Sequence, residues 1–333
     1  MGKIDTVTKD YMKKNEVFAD ACNYFIYGGR QVIDPEELQE LDTTEIAVPF
    51  GNENEAAVQK YRDLLKAATM MNDGKATYLI LGVENEAEVK YAAPVKNGLY
   101  DFLQFSKQVQ QTAARHREGS GRKDHNTGEF LSGFYKDDKL TPVVTVAILF
   151  GPKKWDGPRT LHEMVDTDDP DVLSCMADYK INLIEPAAMS EEDLGKLQST
   201  LKAVLGFIKY SSDSDALDAF LSKEEILHAL DVEAARVISV CTNTQIDIDE
   251  DSEVVDVCKA VQDLTSKARQ EGRQEGRQEG KQEGRQEGRQ EGHFETLSDD
   301  VKNVMEGFKV TIEDAMKVLK VSKEDQAILR KMI

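Results

Sequence analysis

The stretch that most restricts the fold of this chain is residues 76–86, ATYLILGVENE. It is a short run of β-branched, aromatic and aliphatic residues, and the turn-forming sequence Asn72-Asp73-Gly74 precedes it. A short apolar run bounded in this way predicts a strand buried inside a sheet. The run ends in Glu84 and Glu86. An unpaired buried carboxylate is very costly, and a divalent cation would provide the compensating charge.

A third acid, Asp63, precedes Glu84 in the chain, and both belong to a longer series of motifs. The series is RDLLK (62–66), LGVENE (81–86), AAPVKNGLYD (92–101), KLTPVVTV (139–146) and WDGPRTLHEM (155–164). It resembles the PD-(D/E)xK nuclease-fold transposase family, the recombination-promoting nucleases and transposases of bacteria, over about residues 15–166. The resemblance implies an α/β fold of the restriction-endonuclease type, with a mixed central sheet flanked by helices.

The resemblance also implies an activity, a divalent-metal-dependent DNA endonuclease that takes part in DNA recombination and uses Mg²⁺ or Mn²⁺. Asp63 and Glu84 would hold the metal, because both ions prefer oxygen ligands. The bound cation would lower the pKa of a water for phosphodiester hydrolysis. The family has Lys or Gln where this chain has Glu86. Lys90, which has the same strand parity, or Lys96 would then supply the positive charge.

The alternative function is a nuclease fold that has lost catalysis and serves as an oligomerising interaction module. Glu86 favours this alternative, because a carboxylate cannot do the work of a lysine. The formal net charge of −20 also disfavours a strong stand-alone DNA binder, since phosphate contacts require basic side chains.

Further candidate site residues lie on two predicted helices. Helical spacing predicts one helix at residues 15–27, ended by Gly28-Gly29. In folds of this type that helix often directs an acid such as Glu16 or Asp20 toward the metal; a solvated face is the alternative. The second helix covers residues 91–117 and carries Tyr100. This side chain either lies beside the active site or is a half-buried packing residue. The predicted apolar stripe of this helix is Val95, Leu99, Phe102, Leu103, Phe105 and Val109.

A basic cluster follows the second helix in this acidic chain. Its members are the candidate DNA-binding residues Arg115, Arg117, Arg122 and Lys123. A basic cluster can neutralise the phosphate backbone, and a solvated flexible loop is the alternative interpretation.

Residues 56–72 support two interpretations. Apolar residues at helical spacing predict a helix there, whereas the resemblance implies a β-hairpin that carries Asp63. We favour the hairpin. The residues at helical spacing are Val58, Tyr61, Leu64, Leu65 and Ala68.

Changes of pattern divide the chain into five regions. They are a nuclease-like domain (1–185), a helical subdomain (186–243) that begins with a capping box at Ser190, an acidic linker with a short helix (244–268), an RQEG repeat (269–292), and short C-terminal helices (293–333) capped by Thr311 and Ser322.

The RQEG repeat has glycine at every fourth position and places like charges at i, i+4 spacing. Both features weaken an isolated helix. A second copy would change this, because glycines permit close approach and arginine stripes can face glutamate stripes. The repeat therefore predicts either a flexible linker or a self-association helix, and we favour a homo-oligomer with right-handed supercoiling.

The cysteines and the hydrophobic pattern indicate the cellular compartment. The four cysteines are scattered without metal-ligand spacing and are typical of reduced thiols. No apolar run has the ~18 residues of a membrane helix, and the N-terminus does not have the pattern of a signal peptide. We therefore expect a cytoplasmic protein with no membrane partner.

Overall fold

The computed structural model describes residues 3–47, 58–61, 63–72, 75–118, 126–249 and 252–333. Arg122 and Lys123 of the predicted basic cluster lie outside this range. The chain divides into two compact units, Met1–Val261 and Gln262–Ile333. Within the described ranges, each helix is too short or too polar to cross a membrane.

The first unit is built on a mixed sheet. In the described part of the chain the strands are β1 (Gln39–Glu40), β2 (Thr44–Ala47), β3 (Val58–Tyr61), β4 (Leu64–Asn72), β5 (Lys75–Glu86), β6 (Val143–Leu149), β7 (Asn182–Ile184), β8 (Leu230–Asp231) and β9 (Val254–Val255). The central sheet has the order β1-β4-β5-β6-β7. Its β1–β4 and β4–β5 pairs are antiparallel, and its β5–β6 and β6–β7 pairs are parallel. The predicted mixed sheet is confirmed.

Helices surround this sheet and form the second unit. In chain order they are α1 (Lys3–Met12), α2 (Asn15–Tyr27), α3 (Ala93–Glu118), α4 (Thr127–Ser132), α5 (Pro170–Ser174), α6 (Glu191–Gly195), α7 (Leu201–Tyr210), α8 (Ser214–Lys223), α9 (Val232–Thr242), α10 (Val257–Phe308), α11 (Ile312–Val318) and α12 (Lys323–Met332). Short 3₁₀ turns occur at Pro35–Glu37, His162–Met164, Pro186–Ala188 and Glu225–His228.

The segment before β5 contains two strands, so the helix predicted from the helical spacing is wrong. The strands are not one hairpin, because β3 pairs with β2 whereas β4 pairs with β1 and β5. The register pairs Leu64 with Val83 and Ala68 with Leu79. Leu64, Leu65 and Lys66 are buried in succession. A strand buried on both faces lacks the alternation that identifies a half-exposed strand, and its apolar residues can match a helix by chance.

Strand β5 separates two different environments. Leu79, Leu81 and Val83 point to one face, where they join the large apolar core with residues of α2 and α7. Residues of the opposite parity, including Glu84 and Glu86, point to the other face. The face shared with α2 and α7 is largely apolar, although the buried Lys66 of β4 lies on it with its ammonium over the ring of Phe18, and the opposite face carries the buried carboxylates.

Helix α2 begins and ends where the sequence predicts, and Gly28 ends it with a left-handed φ of 64°. Asp20 on this helix is buried. Its carboxylate accepts hydrogen bonds from the backbone N–H of Gln198 at 3.0 Å, and from the N–H and hydroxyl of Ser199 at 2.8 and 2.7 Å. Asp20 therefore fixes the start of α7. Glu16, by contrast, is exposed.

Helix α3 contradicts its predicted apolar stripe. Val95, Leu99 and Phe102 are 50%, 40% and 64% exposed. The buried residues of α3 include Asn97, Asp101 and Gln104, together with Tyr100 and Leu103. The reason is that α3 covers the face of the sheet that carries buried polar groups, so its inward positions hydrogen-bond as well as pack.

The helical region after β7 shares the apolar core of the sheet, through residues such as Leu201 and Phe207 of α7 and Val237 of α9. The predicted capping box is present at Ser190, whose side chain accepts from the N–H of Asp193 while the Asp193 carboxylate accepts from Ser190.

The second unit contains the RQEG repeat within helix α10. Glycines of the repeat, such as Gly280, have no atom within 4 Å of where a Cβ would lie. Thr311 and Ser322 cap α11 and α12, as predicted. A small core packs these helices against the end of α10 and includes Val301, Ala315, Met316, Val321 and Leu329.

Replacing Asp20 with alanine should lower the free energy of unfolding by about 2–4 kcal/mol, because two backbone donors and a hydroxyl lose a charged acceptor in a buried place. Glu16→Ala on the same helix is the matched control and should change it by less than about 0.5 kcal/mol. Urea unfolding measures both. Equal stabilities would contradict the assigned role of Asp20.

Candidate active site

The end of β5 places two carboxylates side by side on one face of the sheet. Antiparallel pairing with β4 ends at Leu64 and Val83, whereas parallel pairing with β6 continues through Glu84 with Ala147 and Glu86 with Leu149. Glu84 is 1% exposed and Glu86 is 3% exposed. Both carboxylates are therefore held by regular strand geometry in a largely dry place.

Lys96, in the first turns of α3, is the cation that compensates these carboxylates. Its ammonium lies 3.0 Å from Glu84 Oε2 and 2.9 Å from Glu86 Oε1. Burial tends to lower the pKa of Lys96, but the attraction of Glu84 and Glu86 outweighs it and the pKa lies above its ordinary value. Lys96 therefore remains protonated throughout the physiological range.

Asp63 lies directly before β4 and joins the same end of the sheet. Its Oδ2 accepts a hydrogen bond from the backbone N–H of Asn85 at 3.0 Å. Asp63, Glu84, Glu86 and Lys96 thus bring three carboxyl groups and one ammonium to this end of the sheet.

The donor set fits Mg²⁺ or Mn²⁺ in chemical type, because both take carboxylate oxygens. In the described part of the chain, the carboxylate oxygens of Asp63, Glu84 and Glu86 do not all lie within 4.8 Å of one another. Lys96 instead bridges Glu84 and Glu86. A metal held by both Glu84 and Glu86 requires Lys96 to move.

A layer of polar groups continues from these residues between α3 and the sheet. Asp101 accepts hydrogen bonds from the hydroxyl of Thr145 at 2.5 Å and from that of Tyr179 at 2.7 Å. Asn97 is 1% exposed, and its side-chain amide atoms have no hydrogen-bond partner in the described structure. Such a group is costly unless a water or ligand satisfies it.

Sequence reasoning missed Asn97 and the hydrogen-bonding role of Asp101. A polar residue at every third or fourth position of α3, among apolar neighbours, was the available indication of this polar layer. That pattern does not tell which side of a helix is buried, because both sides of α3 carry large apolar residues.

The structure brings Lys96, and not Lys90, to the carboxylates. Strand β5 ends at Glu86, so strand alternation does not extend to Lys90, which is exposed. Tyr100 is buried on the inward side of α3. Glu16 and Asp20 belong to α2, which contributes to the apolar core on the opposite face of the sheet from Glu84.

The described members of the basic cluster, Arg115 and Arg117, are exposed in the last turn of α3. The rise of about 1.5 Å per residue places Arg115 roughly 28 Å along the helix axis from Lys96. That distance corresponds to about eight base pairs of B-DNA. The cluster is therefore separate from the carboxylates but lies on the same helix as Lys96.

Comparisons with protein-family models, with curated proteins and with solved structures found no match to this chain. The fold and the site together define this chain as a mixed α/β protein. It has a five-stranded central sheet and a cluster of carboxylates and a lysine at the end of its central strand.

Replacing Lys96 with methionine should lower the free energy of unfolding by about 3–5 kcal/mol, because it leaves two buried carboxylates without their counter-ion. Lys90→Met removes an exposed lysine and should change it by less than about 0.5 kcal/mol. Chemical unfolding with and without Mn²⁺ is the measurement. Mn²⁺ should stabilise Lys96→Met more than the unmodified chain, since it restores the missing positive charge; equal stabilisation would count against a cation site here.

Proposed function

We propose that this chain is a divalent-metal-dependent DNA endonuclease that hydrolyses phosphodiester bonds. The main support is the bridge that Lys96 makes to Glu84 and Glu86, with Asp63 bonded to the intervening residue. This cluster has the carboxylates and the lysine of the PD-(D/E)xK pattern, with the lysine supplied by a helix instead of the strand. The cluster agrees with the resemblance of the sequence motifs to the PD-(D/E)xK nuclease-fold transposase family.

Each residue of the cluster has a proposed role. Asp63 and Glu84 would hold Mg²⁺ or Mn²⁺, which supplies a Lewis acid that activates water and neutralises phosphate charge. The Lys96 ammonium would stabilise the negative charge that develops on the phosphate oxygens, since a fixed cation in a dry site acts strongly. Glu86 would keep that ammonium in position through its 2.9 Å contact.

DNA is the proposed substrate because of the exposed arginines at the end of α3. Arg115 and Arg117 would contact the backbone about eight base pairs from the cut, if the duplex follows the helix. Local basic groups of this kind position a substrate even in a chain whose net charge is −20.

Purified protein should nick supercoiled plasmid in Mg²⁺ or Mn²⁺ and lose this activity in EDTA. Asp63→Asn and Glu84→Gln should each reduce the rate at least about a hundredfold, because each removes a metal ligand while keeping the shape of the side chain. Gel quantification of nicked plasmid over time is the measurement.

Glu88→Gln is the matched control for this assay, because Glu88 is an exposed acid two residues beyond β5. It should retain the full rate. Nicking that survives EDTA, or that is unchanged in both Asp63→Asn and Glu84→Gln, would contradict the proposal. A folded protein that nicks in neither metal would favour the second candidate function.

The second candidate is a catalytically impaired nuclease fold that acts as an oligomerising module. One observation favours it: the repeat forms a helix whose described side chains are exposed. The six basic and six acidic residues of 269–292 balance each other. A second copy could place glutamates against arginines and bring the glycine stripes together.

Self-association through the repeat would depend on its glycines. Gly280→Leu with Gly284→Leu should shift the full-length chain from dimer to monomer, because the added side chains block close helix approach. Gln278→Leu with Gln282→Leu adds the same side chains about 200° around the helix and should leave the dimer intact. Sedimentation velocity distinguishes the species; a monomeric unmodified chain would refute association.

A further inference from the structure

We propose that His228, Asp256 and Cys258 form a zinc-binding site, separate from the carboxylates of the sheet. Their candidate ligand atoms all lie within 4.8 Å of one another. The Nδ1 of His228 lies 3.4 Å from Oδ1 of Asp256. All three residues belong to the first unit of the chain.

The distances suit a tetrahedral ion. With bonds of about 2.0–2.3 Å from zinc to nitrogen, oxygen and sulfur, neighbouring ligand atoms lie about 3.3–3.7 Å apart. The His228–Asp256 separation of 3.4 Å already has this value. The remaining separations are at most 4.8 Å and need to close by at most about 1.5 Å. His228 is exposed and free to make that adjustment by rotation.

The ligand types also select the ion. A thiolate, an imidazole and a carboxylate together favour Zn²⁺ over Mg²⁺ or Mn²⁺, which bind mainly oxygen. Three protein ligands leave one position for water. The exposed side chain of His228 and the partly exposed side chain of Asp256 give the ion and this water access from solvent.

The backbone around each ligand is fixed. Buried residues of the large core lie next to the ligands: Leu227 precedes His228, and Val255 and Val257 flank Asp256. The carboxylate of Asp256 is oriented further because it accepts the N–H of Lys259 at 2.9 Å in the first turn of α10. Fixed ligands lower the entropic cost of binding, and hydrogen bonds behind them set their orientation.

An ion in this place would connect two parts of the fold that are distant in sequence. His228 ends the 3₁₀ turn Glu225–His228, whereas Asp256 and Cys258 lie at the beginning of α10. Without an ion, Cys258 directs its thiol to the carbonyl oxygen of Leu221 at 3.5 Å. The proposed ion would replace this weak contact with a bond between the 3₁₀ turn and the first turn of α10.

Cobalt titration of the full-length protein tests the site directly. After EDTA treatment and desalting, Co²⁺ should produce a thiolate-to-cobalt absorption band that saturates at one ion per chain, and Zn²⁺ should abolish the band. Cys258→Ser should lose the band, whereas Cys175→Ser, which changes an exposed thiol, should keep it. Absence of the band in the unmodified chain, or its persistence in Cys258→Ser, would overturn the proposal.

Zinc affinity, measured by competition with a chromophoric chelator, tests the other two ligands. His228→Ala and Asp256→Asn should each weaken binding at least about tenfold, and asparagine retains the ability to cap α10. His162→Ala and Asp178→Asn are matched controls from another His–Asp pair, whose side-chain atoms lie 3.9 Å apart. Neither substitution should change the zinc affinity. Unchanged affinity in both His228→Ala and Asp256→Asn would overturn the site.

The variant Asp63→Asn/Glu84→Gln separates this site from the proposed nuclease centre. It should lose plasmid nicking and keep both the cobalt band and zinc affinity. Loss of the cobalt band in this variant would overturn the assignment to Cys258, whatever its effect on nicking.

Discussion

The first unit depends on the compensation of two carboxylates at the end of its central strand. Glu84 and Glu86 are almost fully buried, and a buried ion without a partner would cost several kcal/mol. Lys96 supplies the positive charge from the beginning of α3. The position of α3 on the sheet, and with it the polar layer around Asp101 and Thr145, is consistent with this requirement.

The two faces of the sheet differ in what they bury. One face packs against α2 and α7 in an apolar core, which supplies burial of hydrophobic surface as the main stabilising term. The other face holds groups that are favourable only when paired, and Asn97 has no partner among the described residues. Polar groups that are costly for folding are typical of a site that binds a ligand or performs chemistry. The largely apolar face thus provides stability that offsets the cost of burying polar groups on the other face.

The sequence predicted the structure of some parts of the chain correctly and of other parts wrongly. Helix α2 and the caps at Ser190, Thr311 and Ser322 were predicted correctly, because capping and helical spacing are local effects. The inward face of α3 was predicted wrongly at Val95, Leu99 and Phe102, since helical spacing alone does not tell what a helix packs against. The extended conformation of β3 and β4 was predicted from the resemblance, against the local pattern, but the two strands pair with different partners and do not form a hairpin with each other.

The sequence by itself determined that residues 76–86 form a strand ending in carboxylates, because its run of apolar residues is continuous and its charges are close together; the strand is fully buried over residues 81–86, whereas Tyr78 near its start is exposed. Only the tertiary structure decided which lysine meets them, since Lys96 reaches Glu84 and Glu86 by the packing of α3 on the sheet. It also brought His228 to Cys258, residues whose spacing in sequence indicates no metal site. Contacts between distant residues follow from the path of the whole chain, which local patterns do not specify.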